Sequence, residues 1–307
     1  MSMKNTDFKT LLNDLKISLR FAAKNVISFI LGMIGVLIVS ALLLGVIVAV
    51  TFPVVILSAG MHRIIDFITT LRTVLGYMEG TAIMAIIAMI AVSALAPFLV
   101  AIGALFGMGR EIVESAGTSA EGVFKWYKNK FFSLAGAGML QFLILVLPVA
   151  LLVMFPAQAP LPISSAGTFA ITSTIGTAYF LIAGSILSMT FPAVIDGHGP
   201  IEAVKVSVGL SIDYVDRVFS TWLSYLAITV LLFAPIVVSI RGVVWSDSFS
   251  PVVAFMGIYG VVAVILLIFL VIPAAVIGLT RIYLILSGEE RQIPEDEHPD
   301  INLVGDV

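Results

Sequence analysis

Apolar residues run along this chain in six long blocks, at about 26–57, 81–109, 131–155, 167–195, 218–240 and 251–280, and none of the six contains Asp, Glu, Lys, Arg or His. The hydrocarbon core of a bilayer takes roughly 20 apolar residues in helical form, because every backbone amide must find its partner within the segment. Each block is long enough to do this. Each is also apolar all round, which sets it apart from the one-sided pattern of a half-exposed soluble helix. The pattern predicts an all-α, polytopic membrane protein with six transmembrane helices.

Shorter segments between the blocks carry a helical period with two faces. In residues 7–24, Phe8, Leu11, Leu12, Leu15, Leu19 and Ala22 line one face, and Lys9, Asn13, Lys16, Arg20 and Lys24 the other. Such a helix either lies in the headgroup layer, with Lys9, Lys16, Arg20 and Lys24 towards anionic lipid, or packs on the cytoplasmic ends of its own bundle. A second elbow opens at Thr118-Ser119-Ala120-Glu121, a capping-box pattern, and runs through Phe124, Trp126, Tyr127 and Lys130. A third opens at Gly199-Pro200-Ile201-Glu202, with proline where a first helical turn tolerates it. Its apolar stripe is Ile201, Val204, Val208, Ile212 and Val215. On the other side of the membrane, Met61, Ile64, Ile65, Ile68, Leu75 and Met78 suggest a further surface helix, and residues 156–166 read as an uncharged, Pro-rich extended loop.

Charge adds the orientation. Thirteen basic residues fall on one side of the six blocks and only Arg63, Arg72 and Arg241 on the other. By the positive-inside rule, an even number of spans with that bias places both termini in the cytoplasm. The first block is over twice the ~7–15 apolar residues of a cleaved signal peptide, so it is expected to be a retained helix. The net charge of −3 comes from the end of the chain, where seven acidic residues and one Arg follow Gly288. Residues 288–307 therefore read as an acidic, disordered cytoplasmic tail on a weakly basic body, residues 1–287. With 60% hydrophobic and 11% charged residues, the chain is no ordinary soluble globule, disordered protein or nucleic-acid binder. Cysteine is absent, which removes disulfides, thiolate nucleophiles and Cys-based zinc sites.

The punctuation of the blocks suggests an internal repeat. Gly117-Thr-Ser-Ala-Glu-Gly-Val-Phe-Lys125 and Gly197-His-Gly-Pro-Ile-Glu-Ala-Val-Lys205 match in their first glycine and last lysine, 80 positions apart. Asn25, Lys130 and Arg217 each open an apolar run and are followed three residues later by Ser28, Ser133 and Ser220. Odd-numbered blocks end near Pro53, Pro148 and Pro235, and even-numbered ones carry Pro97, Pro192 and Pro273 ahead of Gly103, Gly197 and Gly278. Proline in a membrane helix frees a carbonyl that a neighbouring helix or hydroxyl can engage. The fold expected is three elbow-plus-hairpin repeats in parallel orientation, about an axis along the membrane normal. Gly103/Gly107, Ser173/Thr177 and Gly184/Ser188 are small-residue pairs suited to close helix packing.

The element formed by Phe191-Pro192, Asp196, Gly199-Pro200, Glu202-Ala203 and Lys205 resembles one found in six-helix bacterial and archaeal membrane families. These are the membrane domain of some glycerophosphodiester phosphodiesterases and the YciC-type inner-membrane proteins. The resemblance covers roughly residues 10–285 and implies a stand-alone membrane domain in the plasma membrane of a prokaryote. The phosphodiesterase activity of such proteins belongs to a separate soluble barrel for which this chain has no room, so catalysis does not carry over.

Asp196, His198 and Glu202 form the densest ionisable cluster near a span end. Two carboxylates and an imidazole can hold a metal or exchange protons. The competing reading is a turn into the next helix, with Glu202 placed favourably at a helix N-terminus. The spans hold no ionisable group to mark an ion route, and no serine nucleophile has an intramembrane histidine partner. No catalytic residue, metal or cofactor is expected. Two functional classes follow: a non-enzymatic, lipid-embedded scaffold or accessory subunit, and a transporter or scramblase for a hydrophobic or lipid-like substrate. The second would use polar side chains such as Thr172, Ser173, Thr174, Thr177 and Gln141.

Overall fold

A computed structural model describes residues 8–60, 62, 63, 65, 66, 69, 80–115, 118, 121–154, 165–243 and 251–288. All regular structure among them is helical. The elements are α1 (Phe8–Lys24), α2 (Val26–Ala59), α3 (Gly80–Ser115), α4 (Gly122–Gln141), α5 (Leu147–Met154), α6 (Ser165–Leu187), α7 (Thr190–Asp196), α8 (Pro200–Asp213), α9 (Val215–Val243), α10 (Pro251–Leu266) and α11 (Ile272–Ser287). One π-helical turn, Phe142–Val146, joins α4 to α5, and another, Leu267–Val271, joins α10 to α11. Among the described residues, six runs are long and apolar enough to cross a membrane: Val26–Ser58, Leu95–Ser115, Gly122–Leu152, Ile171–Asp196, Val215–Ile236 and Phe255–Ser287. The surface helix expected across 61–78 falls mostly outside the described residues, as do most of the loop at 156–166 and the tail beyond Gly288. Ser165 and Ala166, read above as loop, open α6.

Each amphipathic helix meets its span at one residue that leaves helical geometry. These are Asn25 (φ −104°, ψ 20°), Lys130 (φ −133°, ψ 19°) and Tyr214 (φ −130°, ψ 46°). Asn25 and Lys130 are the polar residues expected to open the spans; the third break lies three residues ahead of Arg217.

Both π turns end two residues before a proline, Pro148 or Pro273. A proline ring collides with the carbonyl four residues back and offers no N–H, and a wider turn makes room for it. The carbonyl released by Pro148 is met from the neighbouring helix. Tyr179 donates its hydroxyl to the Ile144 carbonyl, four residues before Pro148. Near Pro235, Tyr259 donates to the Leu232 carbonyl at 2.9 Å, one residue beyond the Leu231 carbonyl that the proline deprives of an N–H. Tyr179→Phe should leave the Ile144 carbonyl in lipid with no donor in place of the hydroxyl and cost about 1 kcal/mol, read as a lower Tm of the detergent-purified protein.

The buried core lies at one end of the bundle. It comprises Phe29, Met33 and Val36 of α2, Ala101 to Ile112 of α3, Val123 and Leu134 of α4, nearly all of α7, and α11 from Pro273 to Leu286. Among the described residues, the far part of α2 is the barest stretch of span. Val46, Ile47 and Val48 point to three sides of α2 and are 60%, 47% and 54% exposed, so lipid must surround the helix there. Lipid gives no hydrophobic drive between helices, so contact depends on small residues and polar groups. Glycines at the packed end supply the notches. Phe191 enters at Gly103, Trp126 at Gly107, Trp222 at Gly184 and Tyr225 at Gly278, while Gly138 admits the α3 backbone at Leu99 and Val100. The Ser173/Thr177 pair does otherwise: Thr177 is exposed and its hydroxyl returns to the Ser173 carbonyl at 2.7 Å.

The elbow helices dock along narrow lines of small and polar residues. α1 buries Asp14, Ser18 and Ala22, and α8 buries Ala203, Ser207 and Ser211, both at i, i+4, i+8 spacing. Phe8 and Leu12 of α1, Ile201 and Ile212 of α8, and Val215 just after it are exposed. On α1 the expected apolar stripe is divided, with Ala22, Leu15 and Leu19 meeting the core; on α8 the small and polar line faces protein and most of the apolar stripe faces away from it.

Candidate functional site: buried carboxylates at the packed end

Seven-residue α7 is the centre of this region. Its residues Thr190 to Ile195 are buried, so its end groups need protein partners in place of water. At its entry the chain breaks at Ser188–Met189. The Ser207 hydroxyl of α8 donates to the Ile186 carbonyl (2.6 Å) and accepts from the Met189 N–H (3.2 Å). Gln141 Nε2 donates to the Leu187 carbonyl at 3.0 Å. At its exit, Lys130 Nζ donates to the carbonyls of Val194 (2.9 Å) and Ile195 (2.7 Å). An ammonium at a helix C-terminus also meets the negative end of the helix dipole. Gly197 closes the helix at φ 125°, a left-handed conformation that favours glycine.

Asp196 follows directly. Arg110 Nη1 donates to one carboxylate oxygen at 2.6 Å, and the Tyr283 hydroxyl donates to the other at 2.9 Å. Arg110 Nε also reaches Glu114 at 2.8 Å. The side chain of Asp196 thus ties α7 to α3 and α11. His198 and Glu202 engage each other, with Nδ1 and Oε1 3.4 Å apart and Glu202 largely exposed. The structure divides the predicted cluster into a part-buried clamp at Asp196 and an outer pair at His198 and Glu202. Among the described residues, no three His, Asp or Glu side chains are grouped so as to hold a metal ion.

A second buried carboxylate was not singled out by the sequence reading. Asp14 of α1 accepts from Arg217 Nη2 of α9 at 3.0 Å and from Arg281 Nη1 of α11 at 2.7 Å. One turn on, the hydroxyls of Ser18 and Tyr225 lie 2.6 Å apart. Arg217, counted above among cations of the cytoplasmic side, is 3% exposed. The signal in the sequence was the Asp14-Ser18-Ala22 stripe, a polar line on a helix whose longer side chains drew attention to the other faces.

Glu111 is a third focus. It accepts from the Thr118 hydroxyl (2.7 Å), from Trp126 Nε1 (3.2 Å) and from Lys125 Nζ (3.3 Å). This replaces the capping box expected at 118–121. α4 begins at Gly122 after Glu121, which has helical φ/ψ and makes no side-chain cap, because Thr118 gives its hydroxyl to Glu111 on α3. The rings of Trp126 and Trp222 fill the glycine notches at Gly107 and Gly184.

Chemically these groups match charge with charge. Asp14, Asp196 and Glu111 each receive at least one cation and one or more further donors, an arrangement that joins helices. No family model, curated protein or solved structure matches this chain.

Proposed function

We propose that this protein is a non-enzymatic, lipid-embedded scaffold or accessory subunit. The observation that carries the reading is the use of its ionisable side chains at the packed end. Asp14 and Asp196 are spent on clamps across five helices, α1, α3, α7, α9 and α11, and the spans hold their apolar surface to lipid. The clamped end is the cytoplasmic one on this reading, with both termini there and the host a prokaryotic plasma membrane. Three elbow-and-hairpin units form the body, in keeping with the family resemblance of the Phe191–Lys205 element. The basic face of α1, with Lys9, Lys16, Arg20 and Lys24 exposed, meets anionic headgroups.

Reconstitution into liposomes holding fluorescent phospholipid tests this. Dithionite should bleach no more label than in protein-free liposomes. The exposed stretch 44–54 of α2 favours the second reading, a transporter or scramblase for a lipid-like substrate moving along that surface. Bleaching that rises with protein content would replace the scaffold reading with that one.

A further inference from the structure

We infer that the acidic segment 289–307 docks on the exposed basic face of α1. At the packed end, Arg110, Lys125, Arg217 and Arg281 each have a carboxylate partner, and Lys130 caps α7. Lys9, Lys16, Arg20 and Lys24 of α1 are exposed and have no ion-pair partner among the described residues. Lys128 and Lys205 are exposed too, but Lys128 shares α4 with Lys125 and Lys130, which are engaged by Glu111 and by the end of α7, and Lys205 is the one cation of α8. α1 therefore carries four uncompensated positive charges along one face, and its one acidic residue, Asp14, is turned inward to Arg217 and Arg281. Residues 289–307 hold seven acidic residues and one Arg. The signs are opposite and the excess is similar.

Placement makes them neighbours. The segment leaves from α11, whose Arg281 bonds Asp14 of α1, and only six residues, about 9 Å of helix, separate Arg281 from Ser287. Nineteen residues extend to roughly 65 Å. α1, at about 25 Å long and 10–12 Å across, is within that reach on its outer side as well. Single surface ion pairs are weak, but a tethered polyanion beside four cations acts at high effective concentration.

This inference rests on the reading of the same face as the headgroup contact, with which the acidic segment competes. The chain has no cysteine, so spin labels at Asn13→Cys and Ile301→Cys report one distance in the full-length protein. In nanodiscs of phosphatidylcholine alone, the distance distribution should be short and narrow. It should broaden and lengthen when Lys9, Lys16, Arg20 and Lys24 are all changed to Gln, and again in high salt, where screening falls to a few ångströms. A broad distribution in phosphatidylcholine that the four changes leave unaltered would overturn the docking. Nanodiscs of equal phosphatidylcholine and phosphatidylglycerol separate the two ideas. Broadening there supports both, whereas an unchanged short distance upholds docking and removes the headgroup contact.

Discussion

Asp14→Ala should lower the stability of the bundle by about 3–5 kcal/mol, the range for removing one partner from a buried ion cluster. The alanine would leave Arg217, 3% exposed, and Arg281 with their mutual repulsion and without the carboxylate that accepts from both. Tryptophan-monitored thermal unfolding in detergent reads the effect as a fall in Tm. Combining Asp14→Leu with Arg217→Met should recover part of the loss, since an apolar pair of similar volume carries no desolvation cost. A Tm unchanged by Asp14→Ala would show that the cluster holds nothing together.

The second large effect is expected at Gly138→Ala. A Cβ there would lie 2.7–2.8 Å from Val100 Cα, Leu99 O and Val100 N, all backbone atoms. No rotamer change relieves such a contact, so α3 and α4 must move apart along their packed length. The cost should reach about 3 kcal/mol, the upper end for overpacking. Gly45→Ala is the matched control, because nothing lies within 4 Å of its Cβ. It should be neutral or stabilising by up to ~1 kcal/mol, from helix propensity alone. Comparison of the two Tm values checks the argument; equal shifts would mean that close approach at Gly138 is not what holds the pair.

The spans were legible because the bilayer imposes one stringent rule, internal hydrogen bonding of an uncharged segment. Asn25 and Lys130 were legible as elbows because polar residues interrupt otherwise apolar surroundings. The small-residue pairs at Gly103/Gly107 and Gly184 pointed correctly to notches, though not to the aromatic rings that fill them. Asp14 was not legible as a clamp, since its partners are 203 and 267 residues away and nothing local announces them. Counting cations for orientation treats each as solvated, which hid the burial of Arg217. Nearness in sequence also misled at Asp196. Gly197 turns the chain between it and His198, and the carboxylate meets Arg110 and Tyr283, 86 and 87 positions distant. On α8, the rule that apolar faces seek protein assumes water outside; beside a bilayer the apolar face has another destination.

The length of α2 has a mechanical consequence. Val26–Ala59 is 34 residues, about 51 Å of helix against a hydrocarbon layer of ~30 Å. Even a lean of ~40°, the upper end of what membrane helices adopt, leaves roughly 39 Å to accommodate. Since residues 44–54 of its distal half are exposed, the mismatch there falls on the surrounding leaflets, which must swell locally or let the last turns rise among the phosphates. The protein thereby becomes a gauge of membrane thickness, most at ease where the acyl chains are long.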